Sequence, residues 1–268
     1  MNRFLPIFVF AAICVGSACA ESATGDSPTL QQIKQRGELR VGFDIGYMPF
    51  EMRNKTGEIV GFDVDLARVL ARKLGVKVTL LNIAWDGIIP ALLTDKFDLL
   101  MGGMTITKER AERVDFCDPY MEVGQTVLIS RVLAERVKTY SDLNRPEFKL
   151  VTKLGTTGDI AARKMLSRAD IRSFESEADA AMEVRNGRAD GFIYDSTFNL
   201  VFAAQNKDSM VNLGPPFTKE PLGWGVRKND PAFRRWLNQA LAEMKSDGTY
   251  RALYRKWFES DAWLANVN

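Results

Sequence analysis

Residues 39–80 read LRVGFDIGYMPFEMRNKTGEIVGFDVDLARVLARKLGVKVTL, and the order of patterns inside this stretch decides the fold. Leu39, Val41 and Phe43 alternate with Arg40, Gly42 and Asp44, the period of a half-buried strand. Asn54–Gly57 is a turn. From Asp63 the apolar period lengthens, so that Val64, Ala67, Ala71 and Leu74 share one helical face, with Gly75 as the stop. Val76, Val78 and Leu80 restore the strand period. Strand, helix, strand predicts a parallel α/β unit with a right-handed crossover.

Downstream, Asp86 is expected to cap a helix running to about Thr94, with Pro90 early enough to be tolerated in the first turn. Phe97–Met101 is short and nearly all apolar, as for a strand covered on both faces. The same succession then recurs: strand Phe148–Thr152, helix Gly158–Leu166, strand Ile171–Phe174, helix Glu177–Asn186, strand Gly191–Tyr194. Lys96-Phe97-Asp98 and Arg188-Ala189-Asp190 even occupy the same place in each unit, where helix gives way to strand. Two α/β lobes of similar build are expected. Ala232–Met244 and Tyr250–Phe258 close the chain as helices, the second capped by Asp247 or Thr249 around Gly248. These patterns allow either two domains in series or interleaved lobes with the last helices returning to the first.

At the other end, Met1–Arg3 carries one positive charge, Phe4–Val15 is an apolar run, and Ala18-Cys19-Ala20 has the A-x-A form of a leader cleavage site. The run is too short to span a bilayer. Residues 1–20 therefore read as a signal peptide, 21–37 as a tail (Ser22–Ser27 flexible) and opening helix, and the mature protein as exported. Lipid anchoring through Cys19 is less favoured, because Gly16 stands where a lipoprotein signal has an aliphatic residue.

A net charge of +2, spread over interspersed charges, gives no nucleic acid or anionic membrane as a partner. Cys117 is the only cysteine clear of the leader, so no internal disulfide is expected. The absence of histidine removes His-ligated metal sites, Ser-His-Asp and Cys-His catalysis, and the side chain that titrates near neutrality.

Several motifs occur together in one order: Tyr47-Met48-Pro49-Phe50-Glu51, Gly61-Phe62-Asp63-Val64-Asp65-Leu66-Ala67, Trp85–Leu92, Gly103-Met104-Thr105-Ile106-Thr107-Lys108-Glu109-Arg110, Gly155-Thr156-Thr157-Gly158, Tyr194-Asp195 and Asp247–Tyr250. Each alone is weak. In this order, over roughly residues 30 to 260, the chain resembles the periplasmic polar-amino-acid-binding proteins of ABC importers (solute-binding protein family 3). The resemblance implies the two-lobed type II periplasmic-binding fold, a Venus flytrap. Residues 38–119 plus 222–268 would form one lobe, 125–217 the other, and 120–124 with 218–221 the hinge. It implies a periplasmic monomer without cofactor or metal, whose partners are a free amino acid and the membrane subunits of an ABC importer.

The resemblance also implies a site. Arg110 matches the family arginine for the α-carboxylate, where a planar guanidinium offers two parallel hydrogen bonds. Asp195 matches the carboxylate for the α-ammonium, helped by the Gly103 carbonyl and the Thr105 hydroxyl, with Met104 in the same run. Backbone N–H groups of the Gly155–Gly158 turn, including Thr157 and Gly158, would meet the ligand carboxylate from the other lobe. Tyr47 and Trp85 would sandwich the side chain. Asp44 and Lys153 would face its far end, and their opposed charges suit a neutral polar group such as glutamine's, unless they pair with each other or with solvent. Each residue has a plainer alternative: Arg110 on the surface, Asp195 as a helix cap, Thr105 at a strand end, the aromatics in the core. Closing such a cleft leaves Arg110 and Asp195 without partners unless a zwitterion supplies them, which costs several kcal/mol.

The same motifs occur in secreted cyclohexadienyl dehydratases, which act on prephenate or arogenate. Those enzymes carry a glutamate as acid where this chain has Asp159, whose shorter side chain stands too far back for the same proton transfer. Asp159 also suits the first turn of a helix. A binding protein, with no catalytic residues, is the expectation.

Overall fold

The computed structural model describes residues 27–267; the expected signal peptide, its cleavage site, Cys19 and nearly all of the expected tail lie outside them. Two five-stranded sheets organise the chain. In the first, strand Glu38–Phe43 lies between Lys77–Asn82 and Leu99–Leu100, parallel to both, and the sheet continues with Gly225–Val226 and Asp115–Phe116. In the second, Lys149–Lys153 lies between Asp170–Phe174 and Gly191–Asp195, again parallel, followed by Gln125–Ser130 and Met210–Leu213. The fourth strand of each sheet, entered where the chain crosses from the other lobe, runs antiparallel to the third: Gly225 opposite Leu100, and Thr126 opposite Tyr194. The two lobes therefore share one topology. A short antiparallel ladder, Met121–Val123 against Glu220–Leu222, runs where the chain passes between them.

The local reasons are those of the sequence. The helix Phe62–Leu74 carries Asp63 and Asp65 in its first turn and Arg72 and Lys73 in its last, matching the helix dipole, and ends at Gly75 in the left-handed region with φ 70°. Phe62 is fully buried among Tyr120, Tyr250 and Phe258. Truncating a buried aromatic of this kind costs about 3–5 kcal/mol. Helices Pro231–Ser246 and Thr249–Phe258 pack back onto this helix, and Lys256 and the Trp257 indole N–H both bond to Asp65. The opening helix Pro28–Arg36 is pinned to the same end by Ser27 and Thr29, which both donate to Asp230.

Some local expectations need correction. Asp86 does not cap a helix: it sits inside a 3₁₀ turn, Trp85–Gly87, and makes no capping bond before helix Ile88–Leu93 begins. The strand expected over Phe97–Met101 shortens to Leu99–Leu100. The last helix starts at Thr249 after Gly248, whose φ is 84°, and Asp247 accepts from the Thr249 N–H at 2.8 Å.

Candidate ligand-binding cleft

The carboxyl ends of the parallel strands of both sheets face one another across a cleft, where open α/β sheets carry their sites. The first lobe contributes Asp44 and Tyr47 from the loop after Glu38–Phe43, Trp85 after Lys77–Asn82, and Gly103 and Thr105 after Leu99–Leu100. The second contributes Lys153, Thr156, Thr157, Tyr194 and Asp195. Together with Glu51 and Gly102 they line a cavity of about 10 Å³, the room of one water.

Direct contacts cross this cleft. The Tyr47 hydroxyl donates to Asp195. The Trp85 indole N–H donates to the Gly155 carbonyl at 3.1 Å, and Arg110 reaches the same oxygen at 3.4 Å. Arg110 also donates to its own lobe's Thr105 carbonyl at 2.9 Å and lies over the Trp85 ring, 5.2 Å from its centre. Burial pulls the Arg110 guanidinium below its ordinary pKa, against the opposing pull of Asp195 and Glu220.

Asp195 is the N-cap of helix Ser196–Gln205 by position, yet its side chain makes no capping bond. It turns to the cavity instead, where Tyr47 and Gln125 donate to it. Burial, then Glu220, raises its pKa to about 6 despite those donors. The expectation that Arg110 and Asp195 find partners only in a zwitterion is therefore not met, because protein groups partner both.

At the far side, the Lys153 ammonium lies 2.6 Å from Asp44 and 2.6 Å from Glu177. Burial opposes the ammonium, but Glu177 and Asp44 outweigh it and hold its pKa above the usual lysine value. Of the two readings open for Asp44 and Lys153, the geometry is that of the internal pair. Gly103 is required where it stands: φ is 64°, and a Cβ there would meet the Tyr47 ring at 2.3 Å.

Three of the expected site residues do not line the cavity: Arg110, which lies over Trp85 beside it, Met104 and Gly158. The Met104 side chain packs in the core with Ile88, Leu92 and Phe97, and its carbonyl accepts from Gly223 N–H at 3.0 Å. Gly158 lies beneath the cavity, where a Cβ would come within 2.6 Å of Gln125 Oε1. Asp159 points into the second lobe, accepting from Thr152 at 2.7 Å, Ser173 at 2.8 Å and Arg163 at 3.0 Å.

Four polar residues of the cleft went unread. Glu177 looks like an ordinary first-turn helix acid, and Gln125 opens a strand that carries no alternation. Glu51 sits inside a quoted motif without a signal of its own. Glu220, the lone acid of the 218–221 crossing, gives no sign in sequence of the side chains it meets. Its Oε2 accepts from Thr105 at 3.0 Å and from Thr157 at 2.6 Å, one hydroxyl from each lobe.

The family described as bacterial extracellular solute-binding proteins, family 3, matches residues 39–260. The L-cystine-binding protein TcyJ of Escherichia coli (strain K12) is 30% identical over 250 residues, covering 93% of each chain. A solved putative binding component of an ABC transporter from Wolinella succinogenes DSM 1740, complexed with lysine, is 49% identical with TM-score 0.84, covering 86% of this chain and all of that one. The ancestral amino acid-binding protein AncCDT-1, described as a precursor of cyclohexadienyl dehydratase, is also 49% identical, with TM-score 0.82 over 86% of this chain and 99% of its own. These relatives are named as binding proteins, and this chain belongs to the bacterial extracellular solute-binding proteins, family 3.

Proposed function

We propose that this chain is an extracytoplasmic receptor that captures a free L-amino acid between its lobes and presents it to the membrane subunits of an ABC importer. The observation that carries the reading is the Asp195 carboxylate lining the cavity from one lobe while the Arg110 guanidinium of the other lies over Trp85 and reaches across to the Gly155 carbonyl. A zwitterion answers both, with Arg110 on the α-carboxylate and Asp195 on the α-ammonium. The cavity of about 10 Å³ is far smaller than an amino acid, so capture requires the lobes to part. Bending at residues 120–124 and 218–221, beside the ladder Met121–Val123/Glu220–Leu222, fits that movement. One chain supplies both sides of the cleft, so it works as a monomer. Residues 1–20 act as the exported leader, cut after Ala20, which places the mature receptor in the periplasm.

The side chain it takes is polar. A neutral, glutamine-like group is expected from the opposed charges of Asp44 and Lys153, of which Lys153 repels a cation. With Lys153 answered by Asp44 and Glu177, that repulsion is cancelled and basic ligands become the favoured class. The relative complexed with lysine, at 49% identity, supports the same direction.

A thermal-shift panel of the common L-amino acids with prephenate tests the reading, since a ligand at 100 times its Kd stabilises by about 2.7 kcal/mol. A shift with at least one amino acid is expected. No shift with any of them ends it.

A further inference from the structure

In the second lobe Ser130, Thr156 and Ser176 each accept a backbone N–H at the start of a helix. Asp195 stands at the same position of helix Ser196–Gln205 and accepts none. An uncapped helix N-terminus gives up stability, so something holds the Asp195 side chain away from it. Two donors do, Tyr47 on Oδ2 and Gln125 on Oδ1. They differ in origin. Tyr47 belongs to the first lobe and withdraws with it when the lobes part. Gln125 lies directly opposite Asp195 where strand Gln125–Ser130 pairs antiparallel with Gly191–Asp195. Both residues of that pair sit in one sheet of one lobe, so their bond survives opening.

Gln125 is fully buried and held on every side. Its N–H donates to the Thr218 hydroxyl at 2.8 Å, and its carbonyl accepts from Phe217 N–H at 2.9 Å. Its Nε2 also reaches the Thr157 hydroxyl at 3.3 Å. The side-chain oxygen, by contrast, has no hydrogen-bond partner among the described residues. It faces Gly158, where a Cβ would come within 2.6 Å of it. A buried carbonyl without a donor is destabilising. Turning the amide over would set that oxygen against the Asp195 carboxylate, so the orphan stays. A missing helix cap and an orphaned oxygen thus trace to one hydrogen bond.

We propose that Gln125 is a positioning residue for the ligand's α-ammonium: it keeps the Asp195 carboxylate off its own helix and aimed into the cleft while the lobes are apart. This rests on the amino-acid receptor reading above. Gln125 acts through Asp195 and does not touch the ligand. Without its donor, Asp195 turns back to helix Ser196–Gln205 and accepts from the N–H groups of the first turn, and the ligand has to compete with the helix. Removing the amide therefore weakens binding while it restores a cap and removes the orphaned oxygen. Affinity and stability part company, which they do not do at a packing residue.

Gln125→Met keeps the length of the side chain and removes both polar ends. The test is titration calorimetry of the mature chain with L-lysine and with 6-aminohexanoate, the same molecule without its α-ammonium, beside thermal unfolding without ligand. The corresponding pair is used for whichever amino acid the thermal-shift panel selects. In the variant the amino acid is expected to bind about 10- to 100-fold more weakly, the range for a hydrogen bond to a charged group. The desamino analogue changes by less than about threefold. The unfolding temperature stays level or rises by about 2–4 °C. Unchanged amino-acid affinity, equal loss for both ligands, or an unfolding temperature that falls with the affinity overturns the proposal. If Gln125→Met does not fold, the side-chain amide resonance of Gln125 in the parent decides. A resonance displaced by a charged acceptor in the empty protein supports the role, and one displaced only on adding ligand overturns it. A panel in which no amino acid shifts the parent overturns the receptor reading as well. A ligand bound alike by parent and variant leaves that reading standing.

Discussion

The hydroxyl of Tyr47 and the carboxylate of Asp195, on opposite lobes, are hydrogen-bonded to each other. Sequence had given Tyr47 only a stacking role, yet its polar end touches the group expected to hold the ligand's ammonium. The bond ties a charge needed for binding to a contact that closes the cleft.

A pH dependence follows. Asp195 titrates at about 6 in the folded protein, raised by burial and by Glu220 from an ordinary 3.8. A raised carboxyl contributes stability that is complete below the unfolded pKa and lost as pH rises through the folded one. Asp63, also raised to about 6 by burial, acts in the same sense. Without added amino acid, thermal stability should rise as pH is lowered from 7.5 to 5. Amino-acid affinity runs the other way, falling below about pH 6 as Asp195 takes up a proton. Tyr47→Phe removes a donor that lowers the Asp195 pKa, so the midpoint of the affinity profile moves up. A profile flat from pH 5 to 8 would show that Asp195 does not bear the ammonium.

Arg110→Ala should weaken binding by roughly 30- to several-thousand-fold, the equivalent of about 2–5 kcal/mol for removing one partner of a buried charge pair. Arg110→Lys is nearly as damaging, because an ammonium lacks the fork. The resemblance assigns Arg110 only to the ligand's α-carboxylate. Its bonds to the Thr105 and Gly155 carbonyls give it a structural share as well. Loss of those bonds lowers stability by about 1–3 kcal/mol. Calorimetry beside unfolding curves separates the two losses, and near-parent affinity in Arg110→Ala would move the carboxylate site elsewhere.

The parallel strands were legible because each lobe repeats the change from period two to period 3.6. The antiparallel strands were not. Gln125–Ser130 is buried at all but its last residue, so no alternation marks it, and its pairing with Gly191–Asp195 joins residues far apart in the chain. The site divides along a similar line. Residues at strand ends within motifs, such as Trp85 and Asp195, could be placed in the cleft. Glu177 and Glu220 could not, because what makes them cleft residues is the company of Lys153 and of two threonines from different lobes.

Prephenate and arogenate should yield neither phenylpyruvate nor phenylalanine. Asp159, which the sequence resemblance sets at the dehydratase acid position, is bonded to Thr152, Ser173 and Arg163 inside the second lobe. Asp159→Ala removes the acceptor that Thr152, Ser173 and Arg163 share, leaving Thr152 only the Ser173 oxygen at 3.0 Å, and should cost about 1–3 kcal/mol of stability, with amino-acid affinity unchanged. Product formation that disappears in Asp159→Ala would reverse this assignment.

Glu220 sets which way two hydroxyls point. Thr105 and Thr157 both donate to its Oε2, and each hydroxyl has one hydrogen to give. Both therefore turn lone pairs toward the cavity, which suits an ammonium and not a carboxylate. Glutamine, its amide oxygen keeping the Thr218 bond now made to Oε1, puts a donor where Oε2 stands, so the pattern reverses at both threonines. Glu220→Gln should weaken L-amino-acid binding by about 10- to 100-fold, in line with hydrogen bonds to a charged group. The loss should fall on the ammonium: the desamino analogue of the same ligand, weak in the parent, changes little. A second readout separates this role from a merely structural one. Glu220 raises the Asp195 pKa, so Glu220→Gln moves the midpoint of the affinity profile to lower pH, opposite to Tyr47→Phe. Equal losses for the amino acid and its desamino analogue, with an unmoved midpoint, would reduce Glu220 to a packing residue of the crossing.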